Sequence, residues 1–352
     1  MEEKKIIEGN EALAEAAIRA GCKLFFGYPI TPASEILEYY ARAMCERPEE
    51  HITVIQSETE LAAFSMVVGA VSAGYRAMTA TSGPGFSLGQ ESMSFMAAAQ
   101  LPAVVVNVMR PGPGDGEILA AQGDYFQAVK GGGHADYNNI VLAPYSVQET
   151  CELIQKAFVL AEKYRNPVIM LSDATLAKIK EPVRLPGYVA DVPNPEDMSN
   201  AVRGCGKNEP HKVVTSGDGS VQWGNFNDML QRKFQKMRDT EERYETYETE
   251  DAEIILVAYG SMARVCQSAV RLARAEGIKV GLIRPITLWP FPQKPFAHTE
   301  DKRFLVCELS AGQMVEDVKL AVESKHQVHF FGRLGGSTPS PREVLAEIKK
   351  MG

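Results

Sequence analysis

The chain has 352 residues, of which 45% are hydrophobic and 23% are charged, and its formal net charge is −8 at pH 7. These values are typical of a soluble globular protein with about two or three domains, and the acidic balance argues against a nucleic-acid surface. We expect a cytoplasmic protein, because the N-terminus lacks an apolar signal segment and no apolar run approaches the ~20 residues that span a bilayer. The six cysteines are far apart and form no Cys-x-x-Cys pair, so they signal neither a zinc site nor an iron–sulfur cluster.

Short apolar runs alternate with longer amphipathic segments in the first half of the chain. The apolar runs predict strands at 24–26, 52–55, 77–80, 103–108, 140–142 and 168–171. The amphipathic segments predict helices at 11–20, 34–47, 60–73, 86–99 and 147–163. This alternation predicts an α/β domain over 1–180, with a mostly parallel sheet covered by helices.

The pattern changes after residue 180. A proline-rich stretch and then a charge-dense run predict a connecting region over 181–250. A second α/β unit is expected over 251–352, with strands at 254–258, 280–283, 304–307 and 328–331 and helices at 263–275, 313–323 and 342–350.

The turn Gly-Tyr-Pro-Ile-Thr-Pro at 27–32 joins the first of these strands to a helix, and prolines fix the backbone on both sides of Thr31. Such strand-to-helix turns are where open α/β sheets bind ligands. The same residues also suit a helix start, with Thr31 as the N-cap and Pro32 at the first helical position. The turn alone does not decide between the two interpretations.

Glu60 begins a predicted helix whose next residues are almost all apolar. A carboxylate in such surroundings is costly as an anion, which suits a group that exchanges a proton. The alternative is structural, because a glutamate at a helix N-terminus complements the helix dipole.

Arg110 directly follows an apolar strand and precedes the irregular loop Pro-Gly-Pro-Gly at 111–114. At a strand's carboxyl end a guanidinium can bind a substrate carboxylate through two parallel hydrogen bonds, although a solvated arginine is the commoner case. The segment Thr-Ser-Gly-Pro-Gly at 81–85 could turn its backbone N–H groups to an anion. Its glycine spacing raises a nicotinamide-dependent dehydrogenase as an alternative, but the next strand lacks the acidic ribose ligand expected about 20 residues on.

Several motifs together resemble one family, the α-type subunits of 2-oxoacid:ferredoxin oxidoreductases. The signature is Tyr-Pro-Ile-Thr-Pro, and the motifs that carry the resemblance lie at 9–12, 28–32, 58–60, 79–85, 166–168 and 335–341. Within the family, the segments 106–110 and 124–134 look most like the 2-oxoisovalerate (branched-chain) type. The resemblance covers nearly the whole chain.

The resemblance implies a thiamine diphosphate enzyme that is divided among subunits. The first domain would be of the pyrimidine-binding type and the last of the transketolase C-terminal type. A β-type subunit would hold the diphosphate and Mg²⁺, a ferredoxin-like subunit would hold the iron–sulfur clusters, and electrons would pass to ferredoxin. The reaction would be the oxidative decarboxylation of a 2-oxoacid to acyl-CoA and CO₂ with coenzyme A. The chain alone would be inactive and hold no metal, and it could form a homodimer.

The resemblance also implies residue roles. Glu60 would be catalytic, through a hydrogen bond to the aminopyrimidine of the cofactor, with Glu58 as the competing assignment. The other expected contacts are Tyr28, Thr31 and Arg110 to the substrate, and Pro29, Ser82 and Gly83 to the cofactor. Relatives commonly have Arg-Gly-Gly-Pro where this chain has Arg-Pro-Gly-Pro at 110–113, and the extra proline fixes φ in that loop.

Gly217-Asp218-Gly219 is similar to the first residues of the magnesium–diphosphate loop of thiamine enzymes. In that loop the metal-binding asparagine comes after an intervening helix, whereas here Asn225 and Asn227 follow almost at once. We therefore interpret the segment as an ordinary turn.

Three hypotheses remain open from the sequence: the oxidoreductase subunit, a nicotinamide-dependent dehydrogenase, and a non-catalytic assembly subunit that keeps the fold. For the first, 2-oxoisovalerate is the preferred substrate, with 2-oxoglutarate and pyruvate behind it.

Overall fold

The structure is a computed structural model that describes residues 4–198, 200–206, 213, 215–216, 220–322 and 327–351. Its strands are β1 Lys5–Glu8, β2 Leu24–Gly27, β3 Thr53–Gln56, β4 Ala77–Thr81, β5 Val104–Met109, β6 Ile140–Leu142, β7 Val168–Asp173, β8 Lys180–Val183, β9 Tyr244–Tyr247, β10 Ile254–Val257, β11 Val280–Pro285, β12 Thr287–Trp289, β13 Arg303–Glu308 and β14 Val328–Gly332. Its α-helices are α1 Gly9–Arg19, α2 Ser34–Glu46, α3 Glu60–Ser72, α4 Pro84–Leu88, α5 Gln90–Ala98, α6 Tyr125–Val129, α7 Val147–Tyr164, α8 Ala174–Lys178, α9 Ser220–Thr240, α10 Gly260–Ala275, α11 Met314–Ala321 and α12 Pro341–Lys350.

The larger sheet has seven strands in the order β12-β6-β7-β5-β4-β2-β3. All of its neighbouring pairs are parallel except β12 with β6. Every residue of β4, β5, β6 and β7 is buried, because helices cover both faces of the sheet centre. The strand β3 is the edge on one side, and three of its four residues are exposed.

The smaller sheet has five strands in the order β14-β13-β10-β11-β9. Its first four strands are parallel and β9 runs antiparallel to β11. The helices α10 and α12 pack together over an apolar layer that includes Leu256, Val270 and Ile348. Both units are thus α/β as predicted, and the larger sheet is mostly parallel, as was predicted for the first unit.

The boundaries of the two units interlock. Residue 251 is the predicted start of the second unit. The strand β9 lies before this residue but belongs to the smaller sheet, whereas β12 lies after it and pairs with β6 in the larger sheet. Asp173 ends β7 and accepts hydrogen bonds from the N–H groups of Leu176, at 3.2 Å, and of Ser261 in α10, also at 3.2 Å. We keep the division 1–180, 181–250 and 251–352 as a proposal.

The connecting region contains more regular structure than its composition indicates, since α9 alone has 21 residues. The helix packs on the larger unit through Leu230, Phe234 and Met237, which are all buried.

A second difference from the predicted helices lies at Gly89, where the helix expected over 86–99 is divided into α4 and α5. A Cβ built on Gly89 would lie 2.1 Å from the ring of Phe64 in α3, so only glycine fits between these helices. No helix in the described residues is long and apolar enough to cross a membrane.

One lysine of α9 leads to a stability prediction. Burial, with repulsion from Arg165, lowers the pKa of Lys233 to about 7. Below pH 7 the Lys233 amine is protonated in both the folded and the unfolded chain, so the free-energy cost of burying its charge is at its maximum. Between about pH 7 and pH 10.5 the unfolded chain binds more protons than the folded chain, so this cost falls as the pH rises. We expect Lys233→Met to stabilise the chain at pH 7 by about 1 kcal/mol or more.

Thermal unfolding at pH 7 and near pH 10 checks this prediction. The stabilisation should shrink at the higher pH, and the exposed Lys236→Met on the same helix should shift the midpoint at neither pH. A destabilised Lys233→Met at pH 7 would show that the lysine is not held at a cost.

Candidate active site

The carboxyl ends of β5, β4, β2 and β3 lie side by side at one edge of the larger sheet, since these strands are neighbours and parallel. Arg110 follows β5, Ser82 follows β4, the turn at 28–32 follows β2, and Glu60 begins α3 just beyond β3. Residues distant in sequence therefore meet at the edge where open α/β sheets bind ligands.

The turn after β2 is anchored through its backbone carbonyls. The carbonyl of Thr31 accepts a hydrogen bond of 2.7 Å from Nη1 of Arg110, and that of Pro32 accepts one of 2.7 Å from Nδ2 of Asn10. Asn10 is 2% exposed, so its amide is a fixed support. The side chain of Thr31 is half-buried, and its backbone is in direct contact with the predicted carboxylate-binding arginine.

The alternative interpretation of Thr31 as the helix N-cap is wrong. The N-cap of α2 is Ala33, and the helix begins at Ser34. The N–H of Ala33 donates to the carbonyl of Ile30 at 2.8 Å, which closes a separate turn before the helix. Thr31 lies inside that turn, with its carbonyl bound by Arg110.

Glu60 is buried at the first position of α3, with 8% of its surface exposed, whereas Glu58 is exposed. The side chain of Thr59 caps this helix. The carboxylate of Glu60 lies against the start of α4: a Cβ built on Gly85 would be 2.5 Å from Glu60 Oε1 and 2.2 Å from Thr81 Oγ1. Glycine at 85 therefore lets the carboxylate and the hydroxyl reach the same place.

Several buried polar atoms at this edge have no hydrogen-bond partner among the described residues. They are Thr81 Oγ1, Ser82 Oγ, Asn107 Oδ1 and Arg110 Nε. Leaving a buried polar group unpaired costs about 1–3 kcal/mol, and such groups are rare in native structures. Their concentration at the edge where Glu60 also lies indicates a binding site for a ligand with polar atoms.

An open cleft of about 510 Å³ lies beside Arg110. Its described lining is Gly83, Pro84, Ser87, Leu88, Arg110, Pro111, Gly112, Pro113, Gly114 and Asp124. A Cβ built on Gly83 would be 3.7 Å from both Cγ and Nε of Arg110, so the arginine lies directly over this glycine. In that lining Arg110 is the one cation and Asp124 the one anion.

Asp124 was not predicted as a site residue. Nδ2 of Asn107, a fully buried residue in β5, donates to Asp124 Oδ2 at 2.9 Å. Burial raises the pKa of Asp124, against the opposing effects of the Asn107 hydrogen bond and the Arg110 charge. The sequence signal was Asn107 itself, a single amide in the buried strand Val-Val-Val-Asn-Val-Met.

Among the predicted site residues, Arg110 contacts both Thr31 and Gly83. Glu60 lies against the segment that contains Ser82. Tyr28, which is 39% exposed, and Pro29 lie at the outer side of the turn. The segment Gly217-Asp218-Gly219 lies outside the described residues. Within the described part of the chain no group of three or more His, Cys, Asp or Glu side chains could hold a metal ion.

A parallel sheet with a buried carboxylate, an arginine and unpaired hydroxyls at its carboxyl edge defines an α/β enzyme site. Comparison with known proteins gives the family. The family model described as pyruvate flavodoxin/ferredoxin oxidoreductase, thiamine diphosphate-binding, matches residues 15–253, and the pyruvate:ferredoxin oxidoreductase core domain II matches residues 252–344.

Two relatives of known name match over nearly their whole length. The chain is 49% identical to the ketoisovalerate oxidoreductase subunit VorB of Methanothermobacter thermautotrophicus, with 99% of this chain and 97% of the relative covered. It is 37% identical to the 2-oxoglutarate synthase subunit KorA of Methanocaldococcus jannaschii, with 97% of this chain and 98% of that relative covered.

Two of the solved structures that are similar to this chain show how far the similarity extends. The 2-oxoglutarate:ferredoxin oxidoreductase from Magnetococcus marinus, with 2-oxoglutarate, coenzyme A and succinyl-CoA bound, superposes with a TM-score of 0.86 at 28% identity, over 99% of this chain and 65% of that one. A split-gene transketolase superposes with a TM-score of 0.59 at 16% identity over 98% of each chain, which concerns the fold alone.

The chain therefore belongs to the 2-oxoacid:ferredoxin oxidoreductase family, as the sequence motifs predicted. It is an oxidoreductase subunit whose larger part is a thiamine diphosphate-binding domain. The predicted fold class, a thiamine-type α/β domain followed by a second α/β domain, is confirmed. The dehydrogenase alternative loses its basis, because this family is named for ferredoxin or flavodoxin.

Proposed function

We propose that this chain is the α-type subunit of an oxidoreductase that converts 2-oxoisovalerate and coenzyme A to the branched acyl-CoA and CO₂ and passes two electrons to ferredoxin. The observation that carries the choice of substrate is the lining of the cleft. One guanidinium is available for one carboxylate, and Leu88 with three prolines offers apolar surface for an aliphatic side chain. The name of the relative that is 49% identical, a ketoisovalerate oxidoreductase subunit, supports the same choice.

The unpaired polar atoms of the site fit thiamine diphosphate. Its aminopyrimidine needs a carboxylate beside a ring nitrogen and further polar partners, which Glu60 and the hydroxyls of Thr81 and Ser82 offer. When bound, the cofactor supplies a carbon nucleophile that lets CO₂ leave from the substrate. Glu60 holds and moves a proton at the aminopyrimidine, while Pro29 and Gly83 complete the contacts.

The substrate is held by the two residues that the structure joins. Arg110 has one guanidinium nitrogen on the Thr31 carbonyl and an unpaired Nε, so it is fixed in position and keeps donors for a carboxylate. The Thr31 hydroxyl, at the same edge, donates to the keto or carboxylate oxygen, and Tyr28 covers the outer side. Fixing these donors in advance lowers the entropic cost of binding.

The rest of the enzyme is placed on other chains in this proposal. A β-type subunit holds the diphosphate and Mg²⁺, and a ferredoxin-like subunit carries the iron–sulfur clusters. Support comes from the relatives, which are themselves named as subunits. The isolated chain is then inactive, whether or not it forms a homodimer.

The complex purified from its native source tests the choice of substrate. Reduction of methyl viologen is measured with 2-oxoisovalerate, 2-oxoglutarate and pyruvate in the presence of coenzyme A. We expect kcat/KM for 2-oxoisovalerate to exceed the other two by about tenfold or more, since a buried mismatch of charge or shape costs at least about 1–3 kcal/mol. A preference for 2-oxoglutarate would contradict the substrate, and activity without this chain would contradict its catalytic role.

A further inference from the structure

The two charged side chains in the described lining of the cleft, Asp124 and Arg110, are not bonded to each other. The carboxylate of Asp124 accepts a hydrogen bond of 2.9 Å from Asn107, whereas the guanidinium of Arg110 donates to the carbonyl of Thr31 at 2.7 Å. Burial raises the pKa of Asp124, and Arg110 is near enough for its charge to oppose that rise. Two opposite charges are thus close together, and each is bonded to a neutral group.

This separation matters because the proposed substrate also brings a carboxylate to Arg110. Opposite charges in a partly buried place attract each other strongly, since water and salt screen them little. If the Asp124 side chain were free to turn toward Arg110, the two would form an ion pair and occupy the donors that the substrate needs. The cleft therefore binds a 2-oxoacid well only while the segment around Asp124 is kept in place.

The second domain fixes that segment through Gln313, the N-cap of α11. The side chain of Gln313 accepts a hydrogen bond of 2.7 Å from the N–H of Phe126 and donates one of 2.7 Å to the carbonyl of Gly123. These two bonds hold the backbone on both sides of Asp124. A fixed backbone restricts the directions in which the carboxylate can point, so it stays on Asn107.

Gln313 is itself held by a buried carboxylate. Glu308, the last residue of β13, is fully buried and accepts hydrogen bonds of 2.9–3.1 Å from the N–H groups of Gln313 and of the next two residues. Two residues before Asp124, the buried side chain of Gln122 also accepts a hydrogen bond of 2.9 Å from the N–H of Leu309. The packing of the two domains therefore sets where Gln313 lies relative to the cleft.

We propose that Gln313 is a positioning residue, which holds Asp124 on Asn107 and thereby keeps the guanidinium of Arg110 available to the carboxylate of the 2-oxoacid. The inference rests on the proposed function, because it takes Arg110 as the site of the substrate's carboxylate. It gives the second domain an effect on substrate binding, although that domain contributes no residue to the described lining of the cleft.

Gln313→Met tests the inference in the assembled complex, because the thioether has nearly the size of the amide side chain but makes neither bond. We expect KM for 2-oxoisovalerate to rise about tenfold and kcat to change by less than about twofold, since the substrate must first displace Asp124 from Arg110. In the Asp124→Asn background the same replacement should raise KM by less than about twofold, because no negative charge remains to compete for the guanidinium.

The matched control is Gln148→Met. Gln148 bridges a backbone segment in the same way, since its side chain accepts a hydrogen bond of 2.9 Å from the N–H of Arg184 and donates one of 3.2 Å to the carbonyl of Arg184. Neither of these residues lines the cleft. The control should leave KM within about twofold, as for most substitutions away from a site.

Equal rises in KM for Gln313→Met in both backgrounds overturn the inference, because they indicate a merely structural role, and so does the lack of a rise in either. If the variant complex turns over too slowly to assay, calorimetric binding of the unreactive acid 3-methylbutanoate gives the same comparison as a ratio of Kd values. If Gln313→Met does not assemble, Gln313→Asn, whose amide is one methylene shorter, replaces it in both backgrounds. Failure of the proposed function is distinct, because the wild-type complex would then show no preference for 2-oxoisovalerate.

Discussion

Glu60→Gln is expected to lower 2-oxoisovalerate-dependent reduction of methyl viologen by the assembled complex by about 10²- to 10⁴-fold, the range that one positioned acid–base group supplies. The amide has nearly the size of the carboxylate, so the close packing against Gly85 and Thr81 is kept. What is lost is the group that holds a proton at the cofactor. The measurement is initial rate at saturating substrate, with subunit association checked by gel filtration.

The matched control for this prediction is Glu58→Gln. Glu58 is two residues earlier, carries the same chemistry and is exposed, so its replacement should change the rate by less than about twofold. The opposite pattern, with Glu58→Gln inactive and Glu60→Gln active, would transfer the catalytic assignment to Glu58. Near-normal rates for both variants would support the non-catalytic assembly hypothesis.

Arg110→Met is expected to raise KM for 2-oxoisovalerate by about 100-fold, because removing one partner of a desolvated charge pair costs about 2–5 kcal/mol. The thioether keeps much of the packing over Gly83, but the carbonyl of Thr31 also loses its donor. Arg110→Lys should recover only part of the affinity, since an ammonium does not reproduce the planar arrangement of donors. Steady-state kinetics over a wide range of substrate concentrations separates KM from kcat.

Arg42→Met is the control that shows whether the loss of any surface arginine charge changes KM. Arg42 is half exposed and pairs with Glu11 on α1, away from the cleft lining. Its replacement should leave KM within about twofold, as for most surface substitutions. If Arg110→Met also left KM unchanged, the substrate carboxylate would bind elsewhere.

Local patterns were sufficient for six strands of the first domain, β2 to β7, but they did not predict β1, β8, α6 or α8. The central strands, such as β5 and β7, are buried on both faces and have continuous apolar sequences, so their positions followed from the sequence. The site residues lie directly after such strands, and the parallel order places them at one edge. The joint role of Thr31 and Arg110 followed from the family resemblance, and the hydrogen bond between them was not predicted.

The helix α9 was missed because its many charged residues concealed a short apolar stripe. Leu230, Phe234 and Met237 are spaced by four and three residues, which is the helical period, but they are embedded in a charge-dense run. The strand β12 was missed for another reason. It has three residues and pairs with β6, about 145 positions earlier in the chain, and no local pattern encodes such pairing.

Asp124 illustrates what the sequence could not provide in the site. Its place in the cleft depends on Asn107 in β5 and on Gln313 from the second domain, and the latter contact joins residues 187 positions apart. Only the packing of the two domains brings these groups together. The buried amide in β5 was the one local hint.

A structure of the assembled complex with thiamine diphosphate tests most directly whether this chain contributes Glu60 to a cofactor centre completed by another subunit. We expect a carboxylate oxygen of Glu60 at about 2.6–3.2 Å from a ring nitrogen of the aminopyrimidine, with the diphosphate on the partner subunit. An aminopyrimidine bound by Glu58, or one lying away from the edge formed by β5, β4, β2 and β3, would contradict it.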